Sequence, residues 1–244
     1  MILAFAAPAA AASARITLIH GIPGATVDVK VDGAVIVKDF SFGDKVSLNA
    51  FSGTTLKDVE VVTGGSIVIV GGDIALPSSG NHSVMAHLDA GGTPKLSVFQ
   101  NDVSKIAAGK GRVTARHAAA AGAVDILADG AVLFAGVTNG GQGKADVAAK
   151  TYALTVTPAG GGATVLSANL GVGEGQERIV YVVGSAGAGY SFLTETIGGL
   201  GASPTSVPSG NSPVDNGIPM GALLGFAALA LLGAGGLKLA RREH

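Results

Sequence analysis

The chain has 244 residues and a net charge of −1, with 48% hydrophobic and only 14% charged residues, too apolar for a disordered polymer and too neutral to grip a phosphate backbone. Between residues 15 and 217, 13 Lys and Arg stand against 16 Asp and Glu, a balance of −3, and no Trp is present to stack on bases, so nucleic acid is not an expected partner. The absence of Cys removes disulfide frameworks, thiol nucleophiles and zinc–thiolate sites.

Residues 1–14 read as the remains of a secretory signal peptide. A short apolar run at 2–10 contains Pro8, and Ala12-Ser13-Ala14 gives the small-x-small pattern that a signal peptidase accepts. Cleavage after Ala14 would leave Arg15 as the first residue of the mature chain.

At Arg15 a repeat begins. RITLIHGIPGATVDVKVDGAV lies without a gap over RVTARHAAAAGAVDILADGAV, which starts at Arg112, a constant offset of 112 − 15 = 97. Two copies of such length predict two domains of one fold, each large enough to bury a core. A short segment at 101–111 (NDVSKIAAGKG) joins the first domain, 15–103, to the second, 111–198.

Within each copy the period is that of strands. Val27, Val29 and Val31 alternate with Asp28, Lys30 and Asp32, which sends one face inward. Asp32-Gly33 and Asp129-Gly130 separate apolar runs, the signal of a two-residue hairpin whose turn residues both need positive φ. Further strands are predicted at 46–50, 56–62, 66–76, 82–88 and 95–99, then at 144–147, 152–157, 164–170, 178–183 and 190–194. The 39 Gly, scattered with Ser, Thr, Asn and Pro, supply the turns between them. The expected fold is all-β, with two tandem immunoglobulin-like antiparallel β-sandwich domains; a small all-β barrel is the alternative.

Beyond the repeats, residues 199–217 read as a Pro/Gly/Ser stalk. Residues 218–237 form a 20-residue stretch without charge, ~30 Å as a helix at ~1.5 Å per residue. Lys238, Arg241 and Arg242 follow in a basic tail, 238–244, and stay on the cytoplasmic side. These features predict a C-terminal transmembrane helix. The protein would then sit in the cell membrane as a single-pass anchor, both domains extracellular and the C-terminus cytoplasmic. Gly221 and Gly225 are spaced for a weak homodimer through the span.

Arg15-x-Thr17-x-x-His20, followed by Val27-Asp28-Val29-x-Val31-Asp32-Gly33, resembles the bacterial family called domain of unknown function 4397 (DUF4397). The family's pattern runs roughly R-V-x-H-x-S-P-x-x-P-x-V-D-V-x-V-D-G, often in tandem. Phe99-Gln100-Asn101-Asp102 is similar to its boundary between copies. The chain departs from the pattern at His20-Gly21-Ile22-Pro23, which lacks Ser-Pro, and at His117, which four alanines follow. The resemblance implies a β-sandwich and a secreted or surface address, and it brings no established activity.

The candidate site residues are Arg15, His20, Asp28 and Asp32 with their repeats Arg112, His117, Asp125 and Asp129. An imidazole beside a carboxylate would serve as a base or a metal ligand. On the structural reading, His pins the loop after its strand while Asp pairs with Arg15 or Arg112 or with backbone N–H. That reading is the stronger, because the motif is kept twice while the loop beside it has decayed. Calcium at Asp28, Asp32, Asp39 and Asp44 is disfavoured, since the first lies in a strand and the second in a turn. His82 and His87, five apart, face opposite sides of one strand. No nucleophile elbow or phosphate loop is present, and no cofactor or metal is expected. The expectation is a membrane-anchored bacterial cell-surface protein, not an enzyme, with an adhesive, structural or ligand-binding role toward an extracellular protein or glycan. The alternative is an exported hydrolase or metal-dependent enzyme using the His/Asp pairs.

Overall fold

The computed structural model describes residues 13–202, and the fold there is all-β. The first repeat supplies β1 (Arg15–His20), β2 (Thr26–Val31), β3 (Ala34–Ser41), β4 (Lys45–Ser47), β5 (Thr55–Thr63), β6 (Ser66–Ala75), β7 (Asn81–Leu88) and β8 (Pro94–Asn101). The second supplies β9 (Lys110–Ala120), β10 (Val124–Ala128), β11 (Ala131–Val137), β12 (Gln142–Ala148), β13 (Thr151–Pro158), β14 (Leu166–Gly171), β15 (Glu177–Ser185) and β16 (Gly189–Ile197). The strand predicted at 46–50 is shorter, because a single 3-10 turn, Asn49–Phe51, follows β4.

Each repeat is a sandwich of two four-stranded sheets with the same strand order. Sheet β4-β1-β7-β8 faces β3-β2-β5-β6, and β12-β9-β15-β16 faces β11-β10-β13-β14. Ile16, Leu18 and Val84 of one sheet meet Val27, Val29 and Val61 of the other in the first core. Val113, Ala115 and Val180 meet Ile126, Leu154 and Val156 in the second. The antiparallel expectation needs correcting. β1 runs parallel to β7 and β9 parallel to β15, so one sheet of each sandwich is mixed. The reason is position. The first strand of each repeat is interior to its sheet, taking an antiparallel neighbour on one edge and, after a long crossover, a parallel one on the other.

The two Asp-Gly turns are two-residue hairpins with both residues at positive φ: 50° and 75° at Asp32 and Gly33, 50° and 81° at Asp129 and Gly130. Val31 pairs with Ala34 and Ala128 with Ala131 to close them. Positive φ at both central residues matches the right-handed strand twist.

The mixed sheets also pack on each other through their outer faces. Ile19, Met85 and Phe99 from the first meet Ala118, Ile179, Tyr181 and Val183 from the second in a third apolar cluster. β9 and β15 are consequently buried on both faces along most of their length. We refer to this contact between the repeats as the seam. Residues 102–109 cross one end of it. Ile106, fully buried, exchanges backbone bonds with Leu200 and Ala202, at 2.8 and 2.9 Å. Residues 199–202, read from sequence as the start of a stalk, are thus tied to the joining segment. Ala14 also belongs to the fold, buried in the first core with its N–H donated to Ser52 Oγ at 2.9 Å.

The transmembrane helix expected from sequence is corrected. Among the described residues no helix is long and apolar enough to cross a membrane, because the apolar runs there fold into strands of at most 11 residues. The single-pass anchor, and the cell-membrane localisation built on it, are not supported. Residues 218–237, which carried that expectation, lie outside the described residues, as do 1–12 and the rest of 203–244.

Candidate binding pocket at the seam

Both histidines of the repeated motif hold their own loops. His20 ends β1, faces the first core and packs against the Phe40 ring at 5.4 Å. Its Nδ1 accepts the Ile22 N–H at 3.2 Å, while Nε2 is buried without a partner. His117 Nδ1 accepts the Ala119 N–H at 3.3 Å, and its Nε2–H donates to Gly122 O at 2.8 Å. Burial pushes both imidazoles below their ordinary pKa, with the Asp44 charge opposing the shift at His20. A neutral ring with Nδ1 as acceptor fits both sets of bonds.

The motif aspartates hold bulges. Asp28 accepts the N–H of Asp39 at 2.9 Å, and Asp125 accepts those of Gly136 at 2.7 Å and Gly160 at 2.9 Å. Asp39 and Gly136 are equivalent positions (39 + 97 = 136), both at positive φ, 52° and 62°. Each lies where the register of its hairpin shifts. The aspartate therefore fixes the extra residue of a bulge by accepting its otherwise unpaired N–H. In neither repeat does this carboxylate bond the histidine, which sits on the opposite sheet, or Arg15 or Arg112.

The remaining candidates have local tasks. Asp129 accepts the Ala153 N–H at 2.9 Å and pairs with Lys150 at 2.8 Å, while the N–H of Asp32 donates to Lys57 O at 2.9 Å. Asp44 accepts the Ser41 N–H at 2.8 Å. Among the described residues no three His, Asp or Glu side chains are grouped to hold a metal. His87 is buried at the seam, donating Nδ1–H to Leu88 O at 2.8 Å, and His82 bonds Ser79 O at 3.0 Å from the other face of β7.

Arg15 and Arg112 diverge. Arg15 is exposed, whereas Arg112 is buried beneath the joining segment. It forms a two-pronged pair with Asp146 at 2.7 and 3.1 Å and reaches Asp102 at 3.1 Å. Lys144 bonds the other Asp102 oxygen and, with the Ser104 bonds, holds that carboxyl well below the usual carboxylate range.

This cluster borders a polar cavity of about 390 Å³ lined by Asn81, Asn101, Asp102, Thr114, Gln142, Lys144 and Glu177, among others. Behind its wall lies Arg116, 0% exposed. Its guanidinium donates to Asn101 Oδ1 (2.7 Å), Tyr181 Oη (2.8 Å), Gln142 Oε1 (2.9 Å) and Gln100 O (3.1 Å). It also lies over the Phe99 ring at 4.6 Å. The Tyr181 hydroxyl in turn donates a hydrogen bond to Glu195 at 3.0 Å, and Glu195 also accepts from Ser83 at 2.8 Å. The cation is thus matched to a carboxylate through a phenol.

Glu177 is the anomaly. It is 0% exposed, and Oε1 accepts the Thr114 hydroxyl at 2.7 Å, yet Oε2 has no partner. Burial pushes its carboxyl up. An orphaned carboxylate oxygen in the wall of a polar cavity calls for a hydrogen-bond donor. By strand register Glu177, opposite Arg112, occupies the place that Asn81 holds opposite Arg15.

Arg116, Tyr181, Glu177 and Glu195 are not foreseen by the motif reading. The available signal is in β15, where IVYVV is apolar at consecutive positions, as a strand covered on both faces must be.

The model of the family described as "Domain of unknown function (DUF4397)" matches residues 14–127. The match covers the first sandwich and ends inside β10, so it enters the second only at its first two strands. No curated protein matches the chain.

Proposed function

The chain carries a DUF4397 domain over residues 14–127, and from that premise we propose a non-catalytic binding protein of the bacterial cell surface whose ligand enters the seam pocket. The observation that carries this reading is Glu177, a buried carboxylate whose Oε2 is unpartnered in the wall of a 390 Å³ cavity. The volume lies within the ~300–1,000 Å³ of small-molecule sites. Amides from Asn81 and Gln142, the carboxyl groups of Asp102 and Glu177 and the Lys144 ammonium line it and offer donors and acceptors at several angles without a large net charge. That chemistry suits a hydroxyl-rich ligand of the glycan class, one hydroxyl of which would donate to Glu177 Oε2 once that oxygen, closed off from solvent in the free protein, turns toward the cavity. A non-catalytic role is supported by the motif residues, whose histidines hold loops and whose aspartates hold bulges.

The test is calorimetric titration of the protein with a panel of mono- and disaccharides. A hydrogen bond to a charged group contributes about 1.5–3 kcal/mol, so Glu177→Gln should weaken binding roughly 10- to 150-fold. A saccharide bound equally well by Glu177→Gln, or no binding across the panel, overturns the proposal.

A further inference from the structure

We propose a second binding site, independent of the seam pocket, at the open end of the second sandwich, for a small molecule that presents a single aromatic ring. The cavity there, about 170 Å³, lies between the two sheets and is walled by Ala119, Val124, Val156, Pro158, Val182 and Tyr190, with His117 at its edge. An apolar cavity of ~150 Å³ stays dry and accepts a benzene-sized guest.

The internal repeat shows what a filled version of this place looks like. At the offset of 97, Ala119 corresponds to Ile22 (22 + 97 = 119) and Val137 to Phe40 (40 + 97 = 137). Ile22 packs against the first core, and Phe40 is buried against His20. The second repeat therefore has the smaller side chain at both positions: Ala119 lines the cavity itself, and Val137 belongs to the core beside it. Strand register sets Val182 beside His117 where Ala86 stands beside His20, which returns only part of the lost volume. An unfilled apolar space forfeits contacts that the same fold makes in its other copy.

The rim fits a ring. The His117 Nε2–H is engaged by Gly122 O at 2.8 Å, which leaves an imidazole edge and the apolar walls as the contact surface. Tyr190, its hydroxyl 3.4 Å from Ala120 O, places a second aromatic group at the cavity. Offset or edge-to-face contact with that ring is available to an aromatic guest and not to an aliphatic one.

The test titrates the full chain with benzyl alcohol, phenol and indole, reading the methyl resonances of Val156 and Val182, with cyclohexanol as the aliphatic control. Saturable shifts with the aromatic probes, at least several-fold stronger than with cyclohexanol, are expected. Ala119→Ile, which restores the residue of the first repeat, should weaken binding at least tenfold and raise the melting temperature. Ala119→Val adds two carbons, one fewer than isoleucine, and should give an intermediate loss, which keeps the test decisive if the isoleucine variant misfolds. Ile22→Ala should open a matching site in the first sandwich. Unchanged affinity in Ala119→Ile and Ala119→Val, equal binding of cyclohexanol, or no saturable shift with any aromatic probe overturns the proposal. None of these outcomes touches Glu177.

Discussion

Arg116→Ala tests whether the two sandwiches are joined as the seam geometry requires. The substitution removes four hydrogen bonds, to Asn101, Tyr181, Gln142 and Gln100, and takes a cation off the Phe99 ring. It also takes that donor from the Gln100 carbonyl and from Asn101 Oδ1, which keeps only Ser83, and leaves a void beside the cavity. Summing four bonds to a charged group would give about 6–12 kcal/mol, but such bonds share one side chain and do not add. Removing one member of a buried charged network costs about 3–5 kcal/mol, which is the figure to expect. For a folded unit of this size each kcal/mol shifts the melting temperature by about 2–4 °C, so the midpoint should fall by about 6–20 °C. Arg116→Met keeps more of the packing volume and should lose less. Circular dichroism melts and scanning calorimetry are the assays, and the variant should begin to unfold in two steps as the sandwiches uncouple. A midpoint within about 2 °C of the parent would refute the buried, four-armed guanidinium.

Other consequences are as direct. Asp125 accepts two backbone N–H groups where Asp28 accepts one, so Asp125→Ala should lose about 1–3 kcal/mol and Asp28→Ala less, measured by urea unfolding. His20, His87 and His117 all have pKa values lowered mainly by burial, so the unfolded chain takes up their protons first. Their stabilisation is present above pH ~6.5 and declines as pH falls below it, which a midpoint-against-pH series should register and His87→Gln should blunt. Glu177 has the opposite sign: its raised carboxyl favours the protonated fold, so stability falls as pH rises from ~4.5 through the folded value. Glu177→Gln should therefore raise the melting midpoint at pH 7, with the gain fading toward pH 4; a lower midpoint at pH 7 would mean the carboxylate is already satisfied.

Much of the fold is legible in the residues because local chemistry decides it. Asp32-Gly33 and Asp129-Gly130 demand positive φ whatever surrounds them, and Val27, Val29 and Val31 alternate because one face of their sheet is covered. Arg112, Thr114 and Arg116 show where such reading stops. They alternate with Val113 and Ala115 as a solvent face would, and yet protein covers them, the joining segment over Arg112 and the first repeat's sheet over Arg116. Alternation separates a polar face from an apolar one without saying whether water or protein covers the polar one. The parallel pairing of β9 with β15 is hidden for a related reason, since it joins segments more than sixty residues apart with no turn between them to mark it. For Asp28 and Asp125 the residues leave a choice between an arginine and a backbone N–H. Their partner is a backbone N–H at a bulge, and the Asp39 or Gly136 that makes the bulge needs its φ to be recognised.

The candidate site lies where the repeat is least symmetrical. Ile19 and Arg116 are equivalent by the offset (19 + 97 = 116), and both are fully buried at the seam, one within the apolar cluster and the other within the polar network. Arg15 is exposed while Arg112 is clamped under the joining segment by Asp102 and Asp146. Asn81 and Glu177, matched by register, share one cavity. Gluing two sheets together requires none of this polarity. Apolar side chains do it as well in the other half of the same interface, and a buried ionic network is often no more stable than its apolar replacement. The charged half also carries a penalty in the raised carboxyl of Glu177, whose second oxygen finds nothing to bond. Strain of that kind beside a cavity is what a binding site holds before its ligand arrives, and a donor supplied from outside would relieve it. Affinity for such a ligand and instability without it then have the same origin, so Glu177→Gln should move them in opposite directions.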